Sequence, residues 1–468
     1  MKAAFSRCPQ KPRLRAQASV RDHSSDFCFS QPYRSPKPKC LSVRSFPRER
    51  NRARNLRWDT SLRAKRDVVA TTASEPLEED TGVRGILDEA AAANDQDERT
   101  QMFALDSPEM HSVRQKAAQL LDDVTIPADV VSWVDQSVEY SSKEADPRRA
   151  FFDSQGFLHV KKFCSLEECD TLISRMLELI REDWDPTQAN WTFRTDEKQT
   201  SAQGKADYFL DSANKTHFFM EVGAAAEDGS LKAGLKKEDS LNKVGHGMHV
   251  NERIFREYCD SKKVTELVHA LGWQNPVVPQ SMYIFKQAKI GGEVTSHQDS
   301  TFLYTTPRHT CLGLWLALED ATLANGCLWV RPQSHKEVLR RAFVRNPEYF
   351  REDGSLNSEA SQMIFTDEEG AQKNPCEWEG KLPEKSWPPP HEGLFEAGFI
   401  PIECKAGDLV VFPGTLDHLS LPNYSDKHRH TFQLHLVEGP KAGVSWSPTN
   451  WLQYPEGANF HELPNLNA

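Results

Sequence analysis

The sequence predicts a mainly β fold with supporting helices, either a barrel or a double-sheet jelly roll. The second half of the chain contains several short runs rich in β-branched and aromatic residues, separated by Gly, Pro and Asn turn signals. Helical periodicity is found mainly in the segments that precede these runs. With 468 residues, 38% of them hydrophobic, the chain has enough apolar material for one large domain or two smaller ones.

The N-terminal segment differs sharply in charge from the rest of the chain. Residues 1–66 contain 18 Lys and Arg against 4 Asp and Glu, a net charge of +14, whereas the whole chain carries −11. The segment is rich in Arg, Ser and Pro and has no hydrophobic periodicity, as is typical of an organelle transit peptide. The alternative is a disordered basic arm. We therefore expect residues 1–70 to engage an organelle import machinery, for a plastid or a mitochondrion, with the Ser and Pro content favouring a plastid.

Composition also excludes several classes of partner. The remaining residues carry a net charge of −25, which argues against nucleic-acid binding. No run of about 18 apolar residues occurs, so we expect no membrane span. The ten cysteines are scattered without a CxxC pair, which indicates reduced core thiols rather than a disulfide framework. Nothing in the sequence indicates a particular oligomeric state.

A linker and a helical extension are predicted before the β-rich region. Residues 71–109 are acidic and Ala-rich, and we interpret them as a linker. Residues 110–150 are the predicted extension, with helices at His111–Asp122 and Ala128–Glu139 separated near Pro127. This extension is expected to pack on the domain that follows it.

The main domain is predicted to span residues 151–457, followed by a tail at 458–468. Ser165 begins an SLEE sequence, which is a helix capping box. Residues 251–272 have the periodicity of one amphipathic helix. Residues 338–400 interrupt the strand pattern with an irregular insertion that is longer than ordinary loops.

Five apolar, β-rich runs account for the sheet prediction. They are Pro276–Lys286, Thr310–Leu318, Cys327–Val330, Gly407–Phe412 and Thr431–Val437. Asn325–Gly326 is a hairpin-type turn, so Cys327–Val330 is expected to return beside the preceding strand.

A metal site is predicted from three residues in the β-rich region. His297 and Asp299 are two apart in an extended segment, so their side chains point to the same side of it. His418, which follows the predicted strand ending at Phe412, is the candidate third ligand. Two imidazoles and one carboxylate leave open positions on the metal, the arrangement found in non-haem Fe(II) oxygenases.

The His-x-Asp motif alone arises often by chance, but the order of the motifs along the chain makes the metal-site prediction more specific. Arg429 follows His418 by eleven residues, at the start of the next strand. A 2-oxoglutarate cosubstrate carries a far carboxylate that needs a fixed cation, and Arg offers it a bidentate fork. Ser420 could donate a hydroxyl hydrogen bond to the same carboxylate.

Five blocks of this sequence resemble the phytanoyl-CoA dioxygenase family, and within it the phytanoyl-CoA dioxygenase domain-containing proteins. The blocks are Asp207–Phe219, Asn242–His249, Gln280–Tyr304, Gly313–Trp329 and Trp446–Gln453. They keep the family's order, and the resemblance covers residues 150–455. The family's Pro-Gly-Ser-His sequence is Pro332-Gln333-Ser334-His335 here, and Gln in place of Gly could alter that turn.

The resemblance implies a double-stranded β-helix, a cupin-like jelly roll, that uses Fe(II), 2-oxoglutarate and O2, with ascorbate as a candidate reductant. The residues that match the family's iron ligands are His297, Asp299 and His418. Those that match its cosubstrate site are Lys243, Met282, Trp315, Ser420 and Arg429, with the backbone of Gln298 as a further contact. Because Asp299 is present rather than a small residue, the resemblance favours hydroxylation over halogenation.

The expected reaction is hydroxylation of a small-molecule or acyl substrate, acyl-CoA included, with release of succinate and CO2. Substrate contacts are expected from residues 186–240 and from the 338–400 insertion. The alternatives are an oxygenase that acts on a protein or another macromolecule, a non-catalytic 2-oxoglutarate or iron sensor, and a cupin-like binding module.

Overall fold

The computed structural model describes residues 108–123, 147–187, 192–193, 207–351, 353–367 and 391–465. The chain divides into two units, residues 1–77 and 78–468, and every described residue belongs to the second. The predicted transit peptide, nearly all of the predicted linker and the predicted helix Ala128–Glu139 lie outside the described residues. Within those ranges, no helix is both long and apolar enough to cross a bilayer.

Eight α-helices are described. They are α1 (Pro108–Asp123), α2 (Pro147–Gln155), α3 (Leu166–Asp183), α4 (Asp207–Asp211), α5 (Met248–Asn251), α6 (Arg253–Cys259), α7 (Lys262–Ala270) and α8 (His391–Glu396). The capping box of α3 is confirmed, because the Ser165 hydroxyl accepts from the Glu168 amide at 3.2 Å and the Glu168 carboxylate accepts from the Ser165 amide at 2.8 Å. The single helix predicted over residues 251–272 is wrong: α6 and α7 are separate, and the extended backbone of Ser261 divides them.

Seventeen strands are also described. They are β1 (Leu158–Val160), β2 (Thr192–Phe193), β3 (Thr216–Glu221), β4 (Leu241–His246), β5 (Pro276–Lys286), β6 (Val294–His297), β7 (Thr305–Thr306), β8 (Leu312–Ala317), β9 (Leu328–Val330), β10 (Arg341–Arg345), β11 (Met363–Asp367), β12 (Ile400–Ile402), β13 (Leu409–Pro413), β14 (His418–Ser420), β15 (Arg429–Glu438), β16 (Ser445–Trp446) and β17 (His461–Glu462).

Two facing sets of four antiparallel strands define the architecture. The large sheet contains the order β13-β8-β15-β5, and the small sheet has the order β12-β9-β14-β6. Consecutive strands β5 and β6, β8 and β9, β12 and β13, and β14 and β15 each cross from one sheet to the other. That alternation is the topology of a double-stranded β-helix, so the predicted fold class is confirmed.

Additional strands and helices extend and cover the large sheet. Strand β1 pairs with β13 at one edge, and β4, β3 and β2 continue the sheet beyond β5. Helix α3 buries one stripe of side chains, which are Cys169, Leu172, Met176, Leu179 and Ile180. This burial of a helical stripe is the main apolar contribution of α3 to the core.

The Asn325–Gly326 turn joins the two sheets rather than two neighbouring strands. Gly326 has the left-handed φ of +81° that the turn requires, but β8 belongs to the large sheet and β9 to the small one. The predicted hairpin is therefore wrong. The 338–400 insertion contains a true hairpin, β10 with β11, and the helix α8.

Candidate active site

The three predicted metal ligands meet at one end of the small sheet. Strands β6 and β14 are neighbours, and His418 lies directly opposite His297 in their register. Asp299 follows β6 in a single 3₁₀ turn. Its Oδ1 lies 3.4 Å from His297 Nε2 and 3.6 Å from His418 Nε2. The candidate ligand atoms of the three side chains all lie within 4.8 Å of one another.

Both imidazoles are held in the tautomer that suits a metal ligand. His297 Nδ1 donates to the Thr295 carbonyl at 2.7 Å, and His418 Nδ1 donates to the Leu416 carbonyl at 3.0 Å. The Nε2 lone pairs therefore remain available on the side of Asp299. Burial, with a contribution from His297, lowers the pKa of His418 to about 4, so that this imidazole is neutral at pH 7. The donor set fits a divalent iron ion.

A further histidine orients the carboxylate of this site. His435 Nε2 donates to Asp299 Oδ2 at 3.1 Å, and the Gln280 amide donates to His435 Nδ1 at 3.1 Å. Burial alone would raise the pKa of Asp299, but its three histidine neighbours His435, His418 and His297 hold it well below its ordinary value. The sequence analysis missed His435 and Gln280; the available signal was the two-residue alternation of β15, which places His435 on the same side as Arg429.

Five of the six predicted cosubstrate residues line one cavity with the metal ligands. The cavity has a volume of about 190 Å³, and the five are Lys243, Met282, Trp315, Ser420 and Arg429. The side chain of Gln298 does not line it. Its amide donates to the Thr415 carbonyl at 2.8 Å and accepts from the Arg340 amide at 3.0 Å, so it connects the loop before β10 to the metal-binding strands.

Two buried basic side chains lie next to each other in the wall of this cavity. Arg429 and Lys286 are each 2% exposed and are directly opposite each other on β15 and β5. Among the described residues, no carboxylate forms an ion pair with either cation, and Arg429 Nε has no hydrogen-bond partner. The Trp315 ring covers the guanidinium at 5.3 Å. Burial lowers the pKa of Arg429 to about 10 and, with the charge of Arg429, lowers that of Lys286 well below its ordinary value.

These cations belong to a row of four cross-strand pairs, which we call the β5–β15 ladder. Its pairs are Arg429 with Lys286, Thr431 with Ile284, Gln433 with Met282 and His435 with Gln280. Because alternate residues of a strand share a face, all four pairs are on the cavity side of the large sheet. One end of the ladder carries the cations, and the other end contacts Asp299. The register of β5 and β15 therefore fixes the positions of both the candidate anion site and His435, which bonds to the metal ligand Asp299.

A sequence comparison identifies the family. A family model described as phytanoyl-CoA dioxygenase matches residues 152–431, more than half of the chain. The chain belongs to the phytanoyl-CoA dioxygenase family. This membership confirms the predicted family and the predicted enzyme class, a 2-oxoglutarate-dependent non-haem iron dioxygenase.

Individual relatives match about two thirds of the chain. Phytanoyl-CoA dioxygenase domain-containing protein 1 of Mus musculus is 40% identical over 303 residues, which are 64% of this chain and 92% of that protein. Phytanoyl-CoA dioxygenase of Arabidopsis thaliana is 39% identical over 303 residues, 65% and 91% of the two chains. Among solved structures, the epimerase SnoN in complex with Fe³⁺, alpha ketoglutarate and nogalamycin RO is 13% identical over 68% of this chain and 97% of that one, with a TM-score of 0.41.

Several aromatic rings line the cavity of this phytanoyl-CoA dioxygenase family member. Phe209 on α4 stacks on Trp451 with ring centroids 4.4 Å apart. Phe343 on β10 packs against Phe302 with centroids 5.7 Å apart. Lys243 is buried with its Nζ 5.5 Å from the centre of the Phe209 ring, and burial lowers its pKa well below the ordinary value. The aromatic wall thus comes from the two regions expected to contact substrate, residues 186–240 and the 338–400 insertion, and from Phe302 and Trp451.

Proposed function

We propose that this phytanoyl-CoA dioxygenase family member hydroxylates a small-molecule or acyl substrate, acyl-CoA included, while 2-oxoglutarate is converted to succinate and CO2. The observation that carries the proposal is the shared cavity. It brings the His297, Asp299 and His418 ligand set together with the buried cation Arg429. A metal ion with open positions and a fixed site for a carboxylate are the two features that this chemistry requires of a protein.

The proposed roles of the side chains follow from their positions. His297, Asp299 and His418 would hold Fe(II). Arg429 would bind the far carboxylate of 2-oxoglutarate with Ser420 as a hydroxyl donor, and Lys243, Met282 and Trp315 would shape the pocket. When bound, iron and 2-oxoglutarate supply the activation of O2 that allows a substrate C–H bond to be hydroxylated, with ascorbate as a reductant that maintains Fe(II).

The protein contributes position and charge rather than the oxidising group. His435 keeps Asp299 anionic and fixes which of its oxygens faces the two imidazoles. The aromatic wall of Phe209, Phe302, Phe343 and Trp451 keeps water away from the reacting centre. Because Asp299 occupies the ligand position that a small residue would leave open, we propose hydroxylation rather than halogenation.

The aromatic wall also supports a substrate with an apolar body. Rings of this size favour carbon chains or ring systems through dispersion and area burial. An acyl chain has these properties, and so does a compact apolar metabolite. The substrate is therefore expected to present an aliphatic or aromatic carbon to the metal ligands.

Succinate formation by the purified protein tests the proposed function. The protein is loaded with Fe(II) and given 2-oxoglutarate, with and without members of a metabolite and acyl-CoA panel. We expect succinate to increase with the true substrate and to be lost in His297→Ala. Equal succinate from the wild type and His297→Ala would sink the enzymatic proposal. Metal-dependent 2-oxoglutarate binding without succinate would favour a sensor, and stimulation only by proteins would favour a macromolecular substrate.

For the location of the protein, we propose import into a plastid, with a mitochondrion as the alternative. The proposal rests on the basic, Ser- and Pro-rich composition of residues 1–70. Residues 1–70 fused to a fluorescent protein should accumulate in one of these organelles, whereas the fluorescent protein alone should stay in the cytosol. A fusion that remains cytosolic would contradict the proposal.

A further inference from the structure

We propose that Lys286 is a second cationic residue that binds the far carboxylate of 2-oxoglutarate, together with Arg429. This inference rests on the proposed function, because it concerns the same cosubstrate. It assigns to Lys286 a role that neither the motif spacing nor the family resemblance indicates.

Two basic side chains are buried opposite each other without a carboxylate partner within the ranges that the structure describes. Lys286 and Arg429 are both 2% exposed and face each other across β5 and β15. Like charges directly opposite each other in a sheet are destabilising, and buried charges normally occur in pairs of opposite sign. No ion pair with a carboxylate is present for either residue in the described part of the chain. The charged form of Lys286 is therefore disfavoured beside Arg429, and an anionic ligand that reaches both side chains would offset this repulsion.

Both side chains converge on Gly326. Arg429 Nη1 donates to the Gly326 carbonyl at 2.5 Å. A Cβ on Gly326 would lie 2.6 Å from Lys286 Cδ, so the lysine stem passes directly over this glycine. Both residues also line the cavity. Both side chains therefore pass the same glycine in the cavity wall, and we infer that one carboxylate reaches both.

Both side chains also retain hydrogen-bond donors for which the described residues supply no acceptor. Lys286 Nζ donates to the carbonyls of Gly292 and Leu421, each at 2.8 Å. An ammonium group has three N–H donors, so these two contacts leave one. Arg429 Nε is buried and has no partner in the described structure. A carboxylate would satisfy one donor from each side chain.

The surroundings of Lys286 imply that a proton is taken up when the anion binds. Burial and Arg429 lower the pKa of Lys286, whereas Glu221, Glu293 and Cys327 act in the opposite direction. The Glu221 carboxylate is itself hydrogen-bonded by the Asn242 side chain at 2.8 Å and the Val222 amide at 3.0 Å. A bound carboxylate adds negative charge next to Lys286, which favours its charged form.

Calorimetric titration of the Mn(II)-loaded protein with two ligands tests the role of Lys286. The ligands are 2-oxoglutarate and 2-oxopentanoate, which keeps the keto-acid end and carries a methyl group in place of the far carboxylate. Lys286→Met removes the charge and preserves the stem. We expect it to raise the Kd of 2-oxoglutarate by about tenfold to a hundredfold, and that of 2-oxopentanoate by no more than about twofold. Arg429→Met is the matched positive control and should show the same selectivity.

The pH dependence of the same titration gives a second readout. If binding takes up a proton at Lys286, the wild-type Kd for 2-oxoglutarate rises as pH increases, and the profile of Lys286→Met is flatter. Unchanged 2-oxoglutarate affinity in Lys286→Met, or equal losses for both ligands, would overturn the inference while leaving the proposed function intact. A wild-type protein that binds no 2-oxoglutarate would overturn both.

Discussion

The Nε2 group of His435 donates to Oδ2 of Asp299 over 3.1 Å, while the other oxygen of that carboxylate faces the two ligand histidines. The two oxygens of Asp299 therefore have separate roles. One is directed at the metal position, and the other is held by the large sheet. Gln280 fixes the donor tautomer of His435, so the orientation of a ligand on one sheet is set from the opposite sheet.

Removal of this hydrogen bond should weaken metal binding without removing a ligand. We expect His435→Ala to lower the affinity for Fe(II) or Mn(II) by about tenfold to a hundredfold, the usual range for partners of metal ligands. Calorimetry or Mn(II) electron paramagnetic resonance measures the effect. His430→Ala is the control, since His430 is on the outer face of the same strand and bonds to Tyr283. Equal losses in both variants would show that the effect is only on folding.

Gly326 should be sensitive to the smallest substitution. In Gly326→Ala, the new Cβ would meet the Leu421 carbonyl oxygen at 2.5 Å and the Lys286 side chain at 2.6 Å, at a left-handed φ of +81°. We expect a loss of stability of about 2 kcal/mol together with weaker 2-oxoglutarate binding, measured by urea unfolding and calorimetry. Gly354→Ala has the same left-handed φ but no atom within 4 Å of its Cβ, so it isolates the backbone strain. Its cosubstrate affinity should stay that of the wild type.

Asp417 connects the metal-binding strands to the insertion through a charged network. Its buried carboxylate accepts from Arg340 at 2.8 and 2.9 Å, from Arg331 at 3.2 Å and from Ser296 at 2.6 Å. Asp417→Ala leaves two largely buried guanidinium groups without this partner, so we expect a loss of about 3 kcal/mol in urea unfolding. Glu257→Ala, which breaks the exposed pair with Arg253, should cost less than about 1 kcal/mol. A comparable loss from both variants would contradict the assigned role.

The same carboxylate should contribute to acid sensitivity. Burial alone would raise the pKa of Asp417, but Arg340, Ser296 and Arg331 lower it below its ordinary value. A carboxylate with a lowered pKa in the folded state stabilises the fold at pH values above its unfolded pKa of about 3.9. This stability is lost as the pH falls through the folded-state pKa. The unfolding free energy of the wild type should therefore fall more steeply below about pH 4 than that of Asp417→Asn. Parallel curves for the two proteins would argue against this contribution.

Local patterns predicted the strands well but not which strands pair. The run Thr310–Leu318 contains β8, and Asn325–Gly326 does turn the chain, yet the next strand crosses to the other sheet. That choice depends on contacts with strands far along the chain, which a turn signal does not encode. Likewise, the apolar periodicity of residues 251–272 continues through Ser261, where the backbone becomes extended and starts a new helix.

The metal ligands were accessible from sequence because His-x-Asp has a fixed spacing and His418 follows a predicted strand, and the family resemblance matched all three residues. His435, Gln280 and Lys286 were missed because their roles depend on partners brought together by the sheet register. His435 and Asp299, for example, are 136 residues apart in the chain. Gln333, noted as a departure from the family's Gly, adopts a left-handed φ of +67°, which explains why Gly would suit that turn.

The β5–β15 ladder has a consequence for how this enzyme can diverge. A single inserted or deleted residue between Arg429 and His435 would reverse the facing of one end of β15 relative to the other. Either the cation or the partner of Asp299 would then point away from the cavity. A substitution within this stretch changes one side chain and leaves the facing of the others unchanged. An insertion or deletion changes the facing of several side chains at once. The register shift between His435 and Val437 lies just beyond the ladder, and there β5 contains one more residue than the facing part of β15. The pairing of these strands therefore tolerates a difference in length outside the stretch that carries both binding groups.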